Sequence, residues 1–238
     1  SSSSALVCAS ALATYIVLSD RKDIDSGISI NSEMLAEDCA KFEHLVGTQG
    51  GGMDQAVILT AQEGYAKHVE FMPRFKCSNV LLPRDVQWLV SHCGASHPKA
   101  ETSQFNSRVL ETKLAAALIL KKLRPSSSIP LDHTITLYRV KQELAGSSES
   151  SAKDLMPSIV ENVFDGKSEM CFDEISHKLE MSRASIIQRF KTSEDFITKS
   201  GLNDRLCLVK RCRHVFEESD RVKEFKYICE TTQDSKRL

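Results

Sequence analysis

Residues 47–55 read Gly-Thr-Gln-Gly-Gly-Gly-Met-Asp-Gln, so three consecutive glycines, 50–52, stand almost directly before an acid. Glycine lacks a Cβ and adopts positive φ without penalty, and a run of it lets the backbone pass close to a ligand. Asp54 is the side chain such a turn presents. The residues after it, 55–61, are apolar and compatible with a helix. This predicts Asp54 in a first helical turn, where the helix dipole favours the ionised carboxylate. An ionised acid facing a ligand can take a proton from a hydroxyl or orient that hydroxyl for attack. A flexible loop with Asp54 as an ordinary helix cap accounts for the same residues, and on this stretch alone it is the simpler reading.

Upstream, residues 32–46 carry Leu35, Cys39, Phe42 and Val46 at helical spacing, with Asn31 or Ser32 as cap and Gly47 as stop. Beside that stripe runs a second line, Ala36, Ala40, Glu43 and Gly47, small apart from one acid. Small residues permit close packing, which would hold Glu43 inward. Two roles suit it: a boundary residue that snorkels or pairs with a lysine, or a hard oxygen ligand for Mg2+. Residues 20–31 are polar and include Gly27, the pattern of a surface loop.

Four serines open the chain, followed by fourteen apolar or small residues at 5–18. The run is too short to span a membrane. A signal peptide fits poorly, because its candidate cleavage site, Ala9-Ser10-Ala11, falls inside the run and no basic residue precedes it. The preferred reading is a serine loop feeding a helix that is apolar on all sides and hence buried. Amide N–H groups and hydroxyls at such a helix start suit a phosphate. The chain starts without Met, inside a serine motif, as expected of a fragment.

The 238 residues suffice for one large or two ordinary domains. With 31 basic and 32 acidic residues there is no global positive field to hold nucleic acid or an anionic membrane. A small or locally bound partner is the expectation. The eight cysteines are scattered and no two have the spacing of a zinc or redox motif, which points to reduced thiols in a reducing compartment.

Residues 66–71 and 86–92 have strand character. The second is nearly continuous in apolar residues (Val86, Trp88, Leu89, Val90) and is expected to be central, with Trp88 in the core. His92 and His97 beside Cys93 invite a metal-site reading, which the lack of a matching second ligand pair argues against. A helix is predicted over 103–123, with Val109, Leu110, Leu114, Ala117 and Leu118 on one face. Loops at 125–130 and 146–151 bracket a short amphipathic helix, and a long helix over 203–229 presents Leu206, Val209, Phe216, Phe225 and Cys229. Residues 172–190 have the look of a helix-turn-helix, Ser182 starting a second helix with Arg183 and Arg189. The neighbouring acids Asp173, Glu174, Glu180, Glu194 and Asp195 deny the basic surface a DNA reader needs.

Together, Ser1-Ser2-Ser3-Ser4-Ala5, Glu43 and Gly50-Gly51-Gly52-Met53-Asp54-Gln55 resemble the second half of the GHMP kinase pattern. Met53-Asp54-Gln55 is similar to the galactokinase branch. Ser-Ser-Ser-Ser-Ala-Leu-Val-Cys and the triple glycine are most similar to N-acetylgalactosamine kinase within it. The likeness continues at Lys99 and at 102–109, and returns weakly at 213–215 and 225–229.

The resemblance implies an α+β, GHMP-kinase-like fold. Residues 1–95 would be the remainder of an N-terminal α/β domain binding nucleotide and sugar, and 96–238 a largely helical part of the C-terminal domain. It implies phosphoryl transfer from ATP, with Mg2+, to the anomeric hydroxyl of N-acetylgalactosamine or galactose. Asp54 matches the family's catalytic base and, with Gly51, a sugar contact. Ser1, Ser2, Ser3, Ser4 and Lys99 match nucleotide contacts. Glu43, eleven positions before Asp54, and Ser3 match the Mg2+ site. Phe105 stands where galactokinases often have a sugar-pocket tyrosine and the acetylgalactosamine enzyme a phenylalanine, which tilts the substrate towards the acetylated sugar. The partners implied are sugar and ATP, with no nucleic acid and no membrane, for a cytoplasmic monomer.

The departures are specific. The family's first motif, with its arginine and Gly-Glu-His run, and its glycine-rich third motif are absent from the sequence. Pro98 replaces an amide residue before Lys99, and the loop at 19–31 is longer than usual. The chain as written is therefore expected to bind sugar poorly and not to turn over. Two alternatives stand beside the kinase: a non-catalytic galactose-sensing regulator of the same fold, and a helix-turn-helix DNA-binding protein. Asp54 and the intact serine-alanine motif argue for a catalyst.

Overall fold

A run of small and apolar side chains forms the first helix, α1 (Ser2–Leu18). The computed structural model describes residues 2–19, 30–45, 50–83, 86–95, 103–145 and 151–231. The chain divides into two compact units, Ser1–Ala100 with Glu224–Leu238, and Glu101–Lys223.

In the first unit α1 packs with α2 (Ser32–Leu45) and α3 (Met53–Thr60). Asn31 caps α2, its Oδ1 accepting from the Met34 amide at 3.0 Å. An antiparallel hairpin follows, β1 (Tyr65–Glu70) and β2 (Lys76–Leu81), with Ala66 opposite Val80 and Val69 opposite Cys77. The Glu33 carboxylate accepts from the Cys77 amide at 3.0 Å and ties the start of α2 to β2. The buried apolar set is small in every sense: Cys8, Ala36, Cys39, Ala56 and Val80.

Several expectations change here. Helix α1 is not buried on all sides: Cys8 is enclosed, but Leu6 and the end of the helix from Tyr15 to Leu18 are exposed. An all-round apolar helix needs neighbours on every face, and among the described residues α2 and α3 are the helices packed against it. Of the stripe expected on α2, Cys39 is buried, Leu35 half-buried and Phe42 exposed, with Val46 outside the described residues, while Ala36 and Glu43 of the second line turn inward beside Cys39. Small side chains let helices approach, and Phe42 is left exposed. The strand expected at 66–71 is present as β1, whereas β2 was not predicted, its Lys-Cys-Ser-Asn-Val-Leu giving little apolar alternation.

No strand forms over 86–92. Leu89 and Val90 are 93% and 94% exposed, and Trp88 lies half out of the surface, its ring edge-on to Phe225 with centroids 6.1 Å apart. An apolar run becomes a central strand only where a neighbour offers a ladder, and β1 and β2 pair with each other.

The second unit is helical: α4 (Gln104–Leu123), α5 (Leu137–Ala145), α6 (Ala152–Asn162), α7 (Phe172–Leu179), α8 (Arg183–Arg189), α9 (Glu194–Lys199) and α10 (Leu208–Thr231) as far as Lys223, the rest of α10 being counted with the first unit. Helix α4 is its axis, with every residue from Leu114 to Leu120 buried, where the sequence suggested one face. Phe164, Phe172, Ile175, Ile186, Ile197 and Phe216 close around it. The last helix begins five residues later than expected, because Leu206 exchanges both backbone hydrogen bonds with Met170. Among the described residues no helix is long and apolar enough to cross a membrane.

Candidate functional site

Three helices meet at Glu43. Ser4, in the first turn of α1, donates its hydroxyl to Glu43 Oε1 at 3.1 Å and Oε2 at 3.2 Å. Gln55, in the first turn of α3, donates its amide to Oε2 at 2.5 Å. Glu43 is 7% exposed and Gln55 2%. A carboxylate removed from water is tolerable only when its lone pairs find donors, and these two residues supply them. The inward placement permitted by Ala36 and Ala40 is therefore the one adopted.

The glycine run fits around this acid. A Cβ at Gly50 would stand 3.8 Å from Glu43 Oε2, and His44 donates its Nε2–H to the Gly50 carbonyl at 2.8 Å. Gly52 sits at φ +89, the left-handed region that favours glycine, and caps α3 without a side chain. Gly51 is exposed with open space where a Cβ would be. Asp54 then occupies the first turn of α3, half-buried, next to Gln55. The first-turn placement read from the sequence is the one observed.

Beneath Glu43, the thiols of Cys8 and Cys39 face one another across the α1 and α2 contact. Burial pushes the Cys8 thiol up to about 12, with further upward contributions from Cys39 and Glu43. The Cys39 thiol is raised as well, chiefly by burial. Both stay protonated and form an inert floor to the cluster.

Ser1 and Lys99 lie outside the described residues. The serines do not form a loop: α1 begins at Ser2, Ser3 is exposed, and Ser4 turns inward. Local helix propensity continues through the serines once the following run is helical. Phe105 is half-buried near the start of α4, in the second unit.

Among the described residues no group of three or more His, Cys, Asp or Glu could hold a metal. His92 Nδ1 accepts from the Gly94 amide at 2.9 Å, and His97 lies outside the described residues. Glu43 fits one mode of Mg2+ binding, a single carboxylate completed by phosphate oxygens and water. Its Oε1 keeps acceptor capacity beyond the Ser4 bond.

Residues 172–190 do fold as a tight helical hairpin, α7 and α8. Arg183 is spent within the unit. Its guanidinium donates to Glu194 at 2.6 to 3.0 Å and to Asn203 Oδ1 at 2.5 Å, and stacks over Phe172 at 4.6 Å. The groove beside the turn is lined by Asp173, His177 and Glu180, a poor face for phosphates.

Against known proteins, the chain is 29% identical over 238 residues to galactokinase of Dictyostelium discoideum, covering 96% of this chain and 42% of that protein. The chain is similar to galactokinases. It is 27% identical over 247 residues to the galactokinase of Saccharomyces cerevisiae, with 93% and 45% covered, and 25% identical over 213 residues to that of Candida albicans, with 81% and 40% covered. These identities over most of the chain support the galactokinase branch of the GHMP kinases. No protein-family model matches the chain. It spans less than half the length of these galactokinase relatives. Helices with a small two-stranded sheet are compatible with part of an α+β fold of that kind.

Sequence reasoning did not identify Ser4 and Gln55 as the partners of Glu43, nor His44 as the tether of the glycines. Ser4 is 39 positions from Glu43, and no periodic signal connects them. Gln55, twelve positions away and following the candidate base, was the one hint.

Proposed function

We propose that this chain is part of an ATP-dependent sugar kinase of the galactokinase type, acting on the anomeric hydroxyl of galactose or N-acetylgalactosamine. The observation that carries the proposal is the cluster of Ser4, Glu43 and Gln55 beside Asp54, in a chain similar over most of its length to galactokinases. Phosphoryl transfer depends on positioning and charge neutralisation more than on covalent help.

In this reading Asp54 accepts the proton of the sugar hydroxyl as it attacks the terminal phosphate. Its place in the first turn of α3 puts it at the positive end of the helix dipole. Gly51, exposed and without a side chain, lets the sugar lie against the backbone. The first turn of α1 offers its amides and the Ser3 hydroxyl to phosphate, and Lys99 adds a positive charge. Glu43 and Ser3 would hold Mg2+, whose chemistry is to neutralise phosphate charge.

The test is ADP release measured with each of the two sugars, on the longest natural form of the protein. Turnover is expected with at least one of them, and Asp54→Asn should reduce it by at least about a hundredfold with nucleotide affinity preserved. Undiminished turnover in that variant would reject the role of Asp54, and no turnover with either sugar would reject the kinase.

A further inference from the structure

We infer that Gln55 is a positioning residue, whose amide locks the Glu43 carboxylate to the first turn of α3 so that Glu43 and Asp54 are held as one rigid pair. The inference rests on the kinase reading above and deepens it. Helix α3 starts at Gly52, which has no side chain with which to cap the first turn. A turn without a cap is free to fray. The Gln55 bond to Glu43 Oε2 at 2.5 Å ties that turn to α2, and it is made by a side chain that is 2% exposed.

The two donors on Glu43 are not equivalent. The Ser4 hydroxyl spans both oxygens at 3.1 and 3.2 Å, and a hydroxyl can rotate and turn from donor to acceptor. An incoming cation on Oε1 would displace only that bond. The Gln55 amide bonds Oε2 and so fixes the direction in which Oε1 points, the oxygen that would face the cation. Because Asp54 precedes Gln55 in the same turn, the same bond sets the position of Asp54 relative to Glu43. Outer partners of this kind typically matter about 10- to 100-fold in metal affinity.

The experiment measures ATP affinity on the native chain with Mg2+ and with EDTA, and takes the ratio as the metal-dependent gain. Gln55→Leu should cut that gain by about tenfold and leave metal-free ATP affinity within about twofold. The exchange Glu43→Gln with Gln55→Glu rebuilds the hydrogen bond with donor and acceptor reversed. It should recover the unfolding midpoint lost in Gln55→Leu but not the metal-dependent gain, which separates positioning from packing even if Gln55→Leu folds poorly. A gain unchanged in Gln55→Leu, or retained in the exchanged pair, would overturn the inference and leave the kinase reading standing. No ATP binding by the native chain under either condition would overturn both.

Discussion

Gly52 and Ala40 pack so closely between α3 and α2 that a Cβ on Gly52 would lie 3.0 Å from the Ala40 methyl. Real Cβ contacts are essentially never shorter, and the φ of +89 at Gly52 adds backbone strain for any other residue. Gly52→Ala should therefore lower stability by about 1–3 kcal/mol in urea unfolding. Gly51→Ala meets nothing within 4 Å and should stay within about 0.5 kcal/mol of the native chain. Equal effects at the two positions would mean that the glycines are a loop and not a fitted contact.

Glu111, buried on α4, anchors the start of α10. Its Oε1 accepts from the Cys207 amide at 2.7 Å, while Arg211 Nε stands 3.2 Å from Oε2. The Arg211 Nε–H is not aimed at that oxygen, so the second contact is an ion pair by distance and not a hydrogen bond. Removing the acid leaves a largely buried guanidinium and an unpaired amide. Glu111→Ala should cost about 3–5 kcal/mol, and Glu111→Gln, which can still accept from Cys207, clearly less. Chemical denaturation of both variants checks this, and equal losses would show that charge alone matters.

Glu174 accepts from Lys167 and from the Cys171 amide that opens α7. The Lys167 hydrogen bond, followed by the Cys171 amide, brings its carboxyl from 4.5 down to about 2. A folded value below the unfolded one means that the contribution is complete above about 4.5 and disappears as pH falls towards about 2. Glu174→Gln should thus melt below the native chain at pH 7 and coincide with it near pH 2. A difference between the two that does not change with pH would remove the titration from the explanation.

Thiol chemistry provides a fourth check. Cys93 is exposed, whereas Cys8, Cys39 and Cys212 are buried. Burial lifts the Cys8 and Cys212 thiols to about 12. Mild alkylation of the folded chain at pH 8, read by mass spectrometry, should label Cys93 first and spare these three until denaturant is added. Labelling of Cys212 as fast as Cys93 would contradict the packing around α10.

Sequence by itself determined what depends on neighbours along the chain. The glycine turn before Asp54, the helix bounded by Asn31, the long helix from residue 104 and the hairpin at 172–190 all follow from spacing, capping and glycine's freedom of φ. Tertiary structure alone decided which face of a helix turned inward. Leu35 and Phe42 carry the greater hydrophobicity, yet Ala36, Cys39 and Glu43 are buried, because small side chains let α1, α2 and α3 approach and because Ser4 and Gln55 satisfy the acid once it is inside. The apolar run at 86–92 failed as a strand for the complementary reason: its composition suited a sheet, but a ladder needs an unpaired edge beside it, and edges are made by contacts remote in sequence.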